Sequence, residues 1–285
     1  MMDFNIIKSK IAIGTVQFGL NYGISNAGGK TSPNEVAEIL SFADSQKIYL
    51  LDTARAYGDS EAVLGNVASQ NFKIVSKFGT TPREDLTETL AHLKRPTIYG
   101  YLSHNADHIL ENPNLWNVLD DLKSEGLTER IGYSLYSTSQ LESLIEHKFI
   151  PDIIQVPYNL LDSRFSYWID KLKNEYSTEI HVRSVFLQGL FFMNTESLEG
   201  NVVGLKKELI QLHKWSKEYN LDIGTMALNY ALQNQNIDYV VIGVNSKKQL
   251  IQNLESVGEE LSSDLIHKIG NLKKERPILL NPSNW

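Results

Sequence analysis

The chain has 285 residues, with 27 Lys and Arg against 34 Asp and Glu and a formal net charge of −7. This mild acidity excludes a broad basic footprint for nucleic acid and a polybasic membrane anchor. The absence of cysteine excludes disulfides, thiolate metal sites and a cysteine nucleophile, and fits a reducing compartment, the cytoplasm.

In chain order, short β-like runs alternate with amphipathic helical patterns. The opening MMDFNIIKSKIAIG has no long apolar stretch with a cleavage site and reads as no signal peptide. KIAIGTV (10–16) is the first strand. Ser32 before Pro33 starts a helix over 32–46, and IYLLDTA (48–54) is the second strand. DSEAVLG then reads as a helix start. FKIVSKF (72–78) and TIYGYLSH (97–104) flank a helix over 84–94, and a helix over 114–126 follows, with Gly126 suited to a left-handed cap. RIGYSL (130–135), DIIQVPYN (152–159) and IHVRSVF (180–186) are separated by helices over 138–147 and 165–176. VFLQGLFFM is too short to span a bilayer. A helix over 203–219 and an extra one over 221–235 precede YVVIGV (239–244), and a helix over 246–257 follows it. A last pattern, LSSDLIHKIGNLKK, lies outside the repeating units.

Eight strands rich in Ile, Val and Tyr, alternating with helices, imply parallel pairing with helical crossovers. The expected fold is a closed (β/α)8 barrel with extra C-terminal helices, one domain over residues 1–285, with an open doubly wound sheet as the alternative. In such a barrel the chemistry sits where strands end. Asp52, Lys77 and His104 end the second, third and fourth strands, 25 and 27 positions apart, about one βα unit each. Tyr57 lies five positions past Asp52 and can fold back over the same rim. A tyrosine near pKa 10 yields its proton poorly at neutral pH, and a nearby ammonium such as Lys77 is expected to lower that value. A partly buried lysine needs a carboxylate, and Asp52 fits. His104 can orient a carbonyl oxygen. The set suits polarising and protonating a C=O, while the electrons must come from a hydride cofactor. Arg55, on the same turn, reads as a structural partner for an acid.

DTARAYGDSE, IVSKFG and YLSHNAD resemble the three signature segments of the aldo-keto reductase superfamily. The resemblance implies a (β/α)8 barrel using NAD(P)H, usually NADPH, with a catalytic tetrad at Asp52, Tyr57, Lys77 and His104, Tyr57 being the general acid. It runs almost end to end. IAIGTVQFG is similar to the family's first strand, with Gly14 and Thr15 approaching the cofactor. RIGYSLYS places Ser134 at the carboxamide-binding serine, with Leu135 where Asn is frequent. DIIQVPYNLLD places Gln155 at the glutamine that holds the nicotinamide amide. VRSVFLQGLF resembles the segment beside nicotinamide and pyrophosphate, with Arg183 where many relatives have a stacking Tyr, then Ser184 and Gly189. VIGVNSKKQLIQN resembles the adenosine-phosphate segment, with Gln249, Gln252 and Asn253; Lys247 or Lys248 would meet a 2′-phosphate. The implied cofactor is NADPH, with NADH the alternative.

The implied partner is a small carbonyl substrate, an aldehyde or ketone of general or sugar-derived kind, with no nucleic acid and no membrane. The chain specifies no oligomeric state. Two other uses of the same residues stand beside reduction: a cofactor-sensing regulatory protein similar to the potassium-channel β-subunits, and an epimerase using nicotinamide transiently. GISNAGGKT (23–31) nearly spells a phosphate-binding loop, but no hydrophobic strand directly precedes it, so a loop over the barrel mouth is expected. His104 and His108 lack a third ligand at matching spacing, so a zinc site is not expected. The stretch after the seventh strand, LFFMNTESLEGNV, reads as a pocket loop.

Overall fold

The computed structural model describes residues 4–26, 28–272, 277–281 and 285. Eight strands run in sequence order around a closed, wholly parallel barrel: β1 (Ile11–Gly14), β2 (Leu50–Asp52), β3 (Lys73–Phe78), β4 (Ile98–Ser103), β5 (Thr128–Ser134), β6 (Ile153–Pro157), β7 (Glu179–Arg183) and β8 (Tyr239–Gly243). β1 closes the ring against β8, with Gly14 opposite Gly243, and pairs with β2 on its other side, with Gly14 opposite Asp52. All eight strand runs expected from the sequence form strands, and the (β/α)8 barrel is the fold observed.

Alternation along the strands divides the apolar residues into two bodies. Ile11, Ile13, Leu51, Ile74, Ile154, Val240 and Ile242 belong to the large core between barrel and helices. Ala12, Leu50, Val75, Leu102, Ile153 and Val241 form a separate cluster that fills the barrel itself. Gly100 admits that filling, since a Cβ there would lie 2.8 Å from the Ile153 Cδ1 atom. Toward the strand starts, the plug is polar. Glu179 accepts from the Tyr99 hydroxyl at 2.6 Å, lies 2.6 Å from the His181 imidazole, and pairs with Arg130 at 3.2 Å.

The helices meet the barrel by the spacing of their apolar residues. In the helix Pro33–Ser45 the buried Val36, Ile39, Leu40 and Ala43 fall on one stripe, and the Ser32 side chain caps the start by accepting from the Glu35 N–H. The helix Ile223–Leu232 is buried on nearly all sides, as its lack of a polar face requires. Gly126 takes φ = +76° after the helix Asn114–Ser124. The helices Ser263–Leu272 and Pro277–Leu280 lie beyond the eight units. Short helices at Phe4–Ser9, Val16–Gly19 and Asp107–Glu111 add to the expected set. Among the described residues, no helix is long and apolar enough to cross a membrane.

Candidate active site

The strand period carries the barrel filling directly into a polar layer. Two positions beyond Ala12, Leu50, Val75, Leu102, Ile153 and Val241 stand Gly14, Asp52, Lys77, His104, Gln155 and Gly243. Ser134 and Arg183 end β5 and β7. Each strand therefore delivers its last inward position to the C-terminal mouth, where charged and amide groups replace Val, Leu and Ile.

Asp52 and Lys77 form a buried ion pair, with side chains 5% and 1% exposed. The Lys77 ammonium donates to both Asp52 carboxylate oxygens at 2.8 Å and to the Thr53 carbonyl at 3.0 Å. Gln155 donates to Asp52 Oδ1 at 2.6 Å. Burial pulls the Lys77 pKa below that of an ordinary lysine, and Asp52 opposes that pull.

Tyr57 arrives from the turn between β2 and the helix Ser60–Val67. The Lys77 ammonium sits 5.2 Å from the Tyr57 ring centroid. The His104 ring meets Tyr57 edge to face, with centroids 5.7 Å apart. Burial, and then the charge of Asp52, hold the Tyr57 phenol above its ordinary range, with Arg183 pulling the other way. The net direction is upward, whereas spacing alone led to a lowering by Lys77. The difference is physical: burial penalises the phenolate, and the Asp52 carboxylate adds to that penalty. Burial first, and then Lys77, bring His104 down to about 4, which makes its imidazole neutral at pH 7.

The turn that carries Tyr57 is stapled from behind. Arg55 pairs with Glu61 at 3.0 Å and also with Glu88. Glu61 is 2% exposed and accepts from the hydroxyls of Ser76 (2.6 Å) and Thr89 (2.9 Å). Arg55 therefore has the structural pairing its position implied. Beneath the turn, Ser60 donates to Thr15 at 2.8 Å, and Thr15 in turn holds the Asp52 carbonyl at 3.0 Å.

The layer opens into a cavity of about 1010 Å³, large enough for a dinucleotide and a small substrate. Asp52, Tyr57 and His104 reach its wall, and Lys77 lies behind Asp52. Gly14, Thr15, Ser134 and Gln155 line it near these residues. Arg183, Ser184 and Gly189 line it after β7, and Gln249, Gln252 and Asn253 line it after β8. Lys247 is not part of the wall; its backbone N–H donates to Glu35 at 2.7 Å at the start of the helix Lys247–Glu255. Leu135 is buried in the core.

Several wall residues escaped the sequence reading, among them Gln17, Tyr22, Tyr136, Asp222 and Asn245. Gly23, Ser25 and Asn26 belong to the expected loop over the mouth, and Tyr22, just before it, is tied to the segment after β7 by Gln188, which donates to the Tyr22 hydroxyl at 2.7 Å. Within the loop, Lys30 pairs with Asp59 at 2.6 Å. Of the expected pocket loop, Phe192 reaches the cavity, while Asn194 caps Thr195–Ser197 and Glu196 pairs with Lys206.

The wall has features that fit a nicotinamide dinucleotide. Among the described residues, the buried side-chain oxygens of Gln155, Gln17 and Asn245 have no hydrogen-bond partner, so these acceptors suit donors such as amide or ribose groups. Gly14 and Gly243 form a cradle: a Cβ on Gly243 would meet the Gln17 amide at 2.4 Å, and one on Gly14 would meet Val241 at 3.2 Å. Ser184, Leu187, Gln188 and Gly189 all take positive φ, which puts unusual backbone at the cavity edge. Among the described residues, no group of three or more His, Asp or Glu side chains is placed to hold a metal ion.

Comparison with known proteins bears on the family and the fold. The Aldo/keto reductase family model matches residues 10–274. An NAD(P)H-dependent 6′-deoxychalcone synthase of Glycine max is 24% identical over 292 aligned positions, covering 90% of this chain and 87% of that protein. A 6-dehydroglucose reductase of Novosphingobium aromaticivorans is 27% identical over 122 positions, 37% of this chain and 40% of that one. Among solved structures, the holo form of an aldo-keto reductase from Bacillus halodurans superposes with a TM-score of 0.77 at 20% identity, covering 93% and 92% of the two chains. The chain belongs to the aldo/keto reductase family and is a nicotinamide-dependent oxidoreductase.

Proposed function

We propose that the protein reduces the carbonyl of a small aldehyde or ketone to an alcohol, with Tyr57 as the general acid. The observation that carries this reading is the convergence of three groups on one cavity wall: a protonated phenol, a neutral imidazole edge-on to it, and a buried ammonium–carboxylate pair beneath. When bound, reduced nicotinamide supplies the hydride. Gln155 and Ser134 would hold its carboxamide, Gly14 and Gly243 leave room for it, and Gln249, Gln252 and Asn253 would face the adenosine end.

The chain's own part is proton delivery and orientation. His104, neutral at pH 7, donates an N–H to the carbonyl oxygen and fixes its position. As negative charge grows on that oxygen, the Tyr57 hydroxyl gives up its proton to it. The raised phenol pKa keeps the donor loaded across the neutral range. The same shift makes the phenol a weaker acid, and the positive charge of Arg183 pulls against it. Asp52 keeps Lys77 charged in a site whose burial would otherwise strip its proton.

NADPH is the proposed reductant, with Lys247 or Lys248 meeting the 2′-phosphate. The test is loss of absorbance at the reduced-nicotinamide band with NADPH and with NADH, against a panel of aldehydes and ketones. Turnover of several members supports the reading. Tight cofactor binding with no turnover of any member overturns it in favour of a cofactor-sensing protein.

A further inference from the structure

The corner where β1 meets β8 carries a carboxylate that the proton chemistry does not use. Glu35 stands in the first turn of the helix Pro33–Ser45 and is half-buried. One of its oxygens accepts from the Lys247 N–H at 2.7 Å, at the first residue of the helix Lys247–Glu255. Among the described residues, no Lys, Arg or His side chain lies within ion-pair distance of Glu35, so the neighbouring Lys247 and Lys248 do not neutralise it.

Four segments build this corner. Gln17 follows β1, and its amide lies against Gly243 at the end of β8. The Thr31 N–H, just before the helix that carries Glu35, donates to the Gln17 carbonyl at 2.9 Å. Asn245, two positions past Gly243, donates its N–H to the Gln249 side chain at 2.7 Å. Ser246 caps the helix by accepting from the Gln249 N–H at 3.2 Å. Gln17, Asn245 and Gln249 line the cavity.

The corner is rich in acceptors. Among the described residues, the buried side-chain oxygens of Gln17, Thr31 and Asn245 have no hydrogen-bond partner. The start of a helix favours an anion, because its first N–H groups have no partner within the helix. Here a carboxylate of the chain itself already holds the first of those groups. Two cofactors that differ in one substituent therefore meet opposite conditions. A ribose 2′-hydroxyl can donate and suits the acceptors. An ionised 2′-phosphate offers acceptors only and brings about two negative charges toward Glu35. Lys247 and Lys248 pull on that phosphate, and Glu35 pushes against it.

We propose that Glu35 is a specificity-determining residue for the cofactor: its carboxylate repels a 2′-phosphate and accepts from a 2′-hydroxyl, so that the chain takes NADH as well as NADPH with a narrow preference between them. The inference rests on the reading that the adenosine end of the cofactor faces Gln249, Gln252 and Asn253.

The test is a fluorescence titration of the full chain with NADPH and with NADH, repeated on Glu35→Gln. The unaltered chain is expected to bind the two within about 10-fold of each other. Glu35→Gln keeps an oxygen for the Lys247 N–H and removes the charge. It should tighten NADPH about 10-fold, the scale for relief of one like-charge contact at a half-buried position, and leave NADH unchanged or weaker by up to about threefold. A gain in affinity for one cofactor alone is not a result that structural damage produces. A ratio of the two Kd values that stays within about twofold in Glu35→Gln overturns the proposal, as does a preference for NADPH beyond about 10-fold in the unaltered chain. Binding of neither dinucleotide overturns the cofactor reading itself, and the proposal with it. Glu35-dependent discrimination without turnover of any carbonyl upholds the proposal and sinks the reductase reading instead. If Glu35→Gln does not fold, calorimetry on the unaltered chain with 2′,5′-ADP and 5′-AMP decides: affinities within about 10-fold uphold the proposal, and a wider preference for 2′,5′-ADP overturns it.

Discussion

Replacing Asp52 by Asn tests the buried pair at the base of the site. The change keeps the shape of the side chain and removes its charge. Lys77, 1% exposed, then keeps only the Thr53 carbonyl and one amide oxygen as acceptors. Breaking one side of a buried ion pair costs roughly 3–5 kcal/mol, because the remaining charge has no compensation. For a domain of this size that corresponds to a fall in Tm of roughly 6–20 °C. The pH dependence has a definite sign. The folded-state pKa of Lys77 lies below its unfolded value of 10.5 because burial dominates, and without Asp52 it falls further. The unfolded chain then binds more protons between the two values, so stability rises with pH across that window and the deficit of Asp52→Asn shrinks toward pH 10. Urea unfolding followed by circular dichroism at pH 7 and 9.5 reads both effects. Adding Lys77→Met removes the orphaned charge and restores most of the stability, while turnover stays lost. A deficit below about 1 kcal/mol at pH 7, or one that grows with pH, would refute the reasoning.

Three further outcomes follow from the same geometry. His104, with a folded-state value of about 4 against 6.5 unfolded, contributes stability that is complete above pH 6.5 and is lost as pH falls toward 4, by at most about 3 kcal/mol. His104→Gln should reduce the difference in unfolding free energy between pH 7 and 4.5, and an imidazole NMR titration should give a midpoint near 4. Glu61→Ala removes the acceptor shared by Arg55, Ser76 and Thr89 and should cost about 3 kcal/mol in denaturant unfolding, whereas Glu61→Gln should cost less, since it keeps an acceptor for the two hydroxyls. The double variant Lys247→Ala/Lys248→Ala should weaken NADPH binding by about 10-fold in a fluorescence titration and leave NADH within about twofold, since each lost contact to a phosphate is charge-assisted.

The barrel was legible because its signals are local. A two-residue period sorts Leu50 from Leu51 and Val75 from Ile74, and the same period points Asp52 and Lys77 inward. Ser32 before Pro33 and Gly126 at the end of a helix act through nearest-neighbour backbone geometry, which any reading of the chain can use. What escaped depends on closure of the ring. Tyr136 reaches the cavity from the segment after β5 and rests on Arg183 from β7; no spacing rule joins them. Gln17 and Asn245 become wall residues only because β1 pairs with β8. The upward displacement of the Tyr57 pKa was hidden for a related reason. Proximity to a lysine is written in the strand spacing, but the burial of the phenol and its exposure to the Asp52 charge are not.

The central claim is that the Tyr57 hydroxyl delivers the proton. Its most direct test is Tyr57→Phe, with single-turnover reduction of an aldehyde measured beside cofactor binding. The account predicts a fall of about 10²- to 10⁴-fold in the chemical step, the span for removal of a general acid, with the cofactor Kd within about twofold of the unaltered protein. Reduction at the unaltered rate, by a folded variant that still binds cofactor, would contradict it.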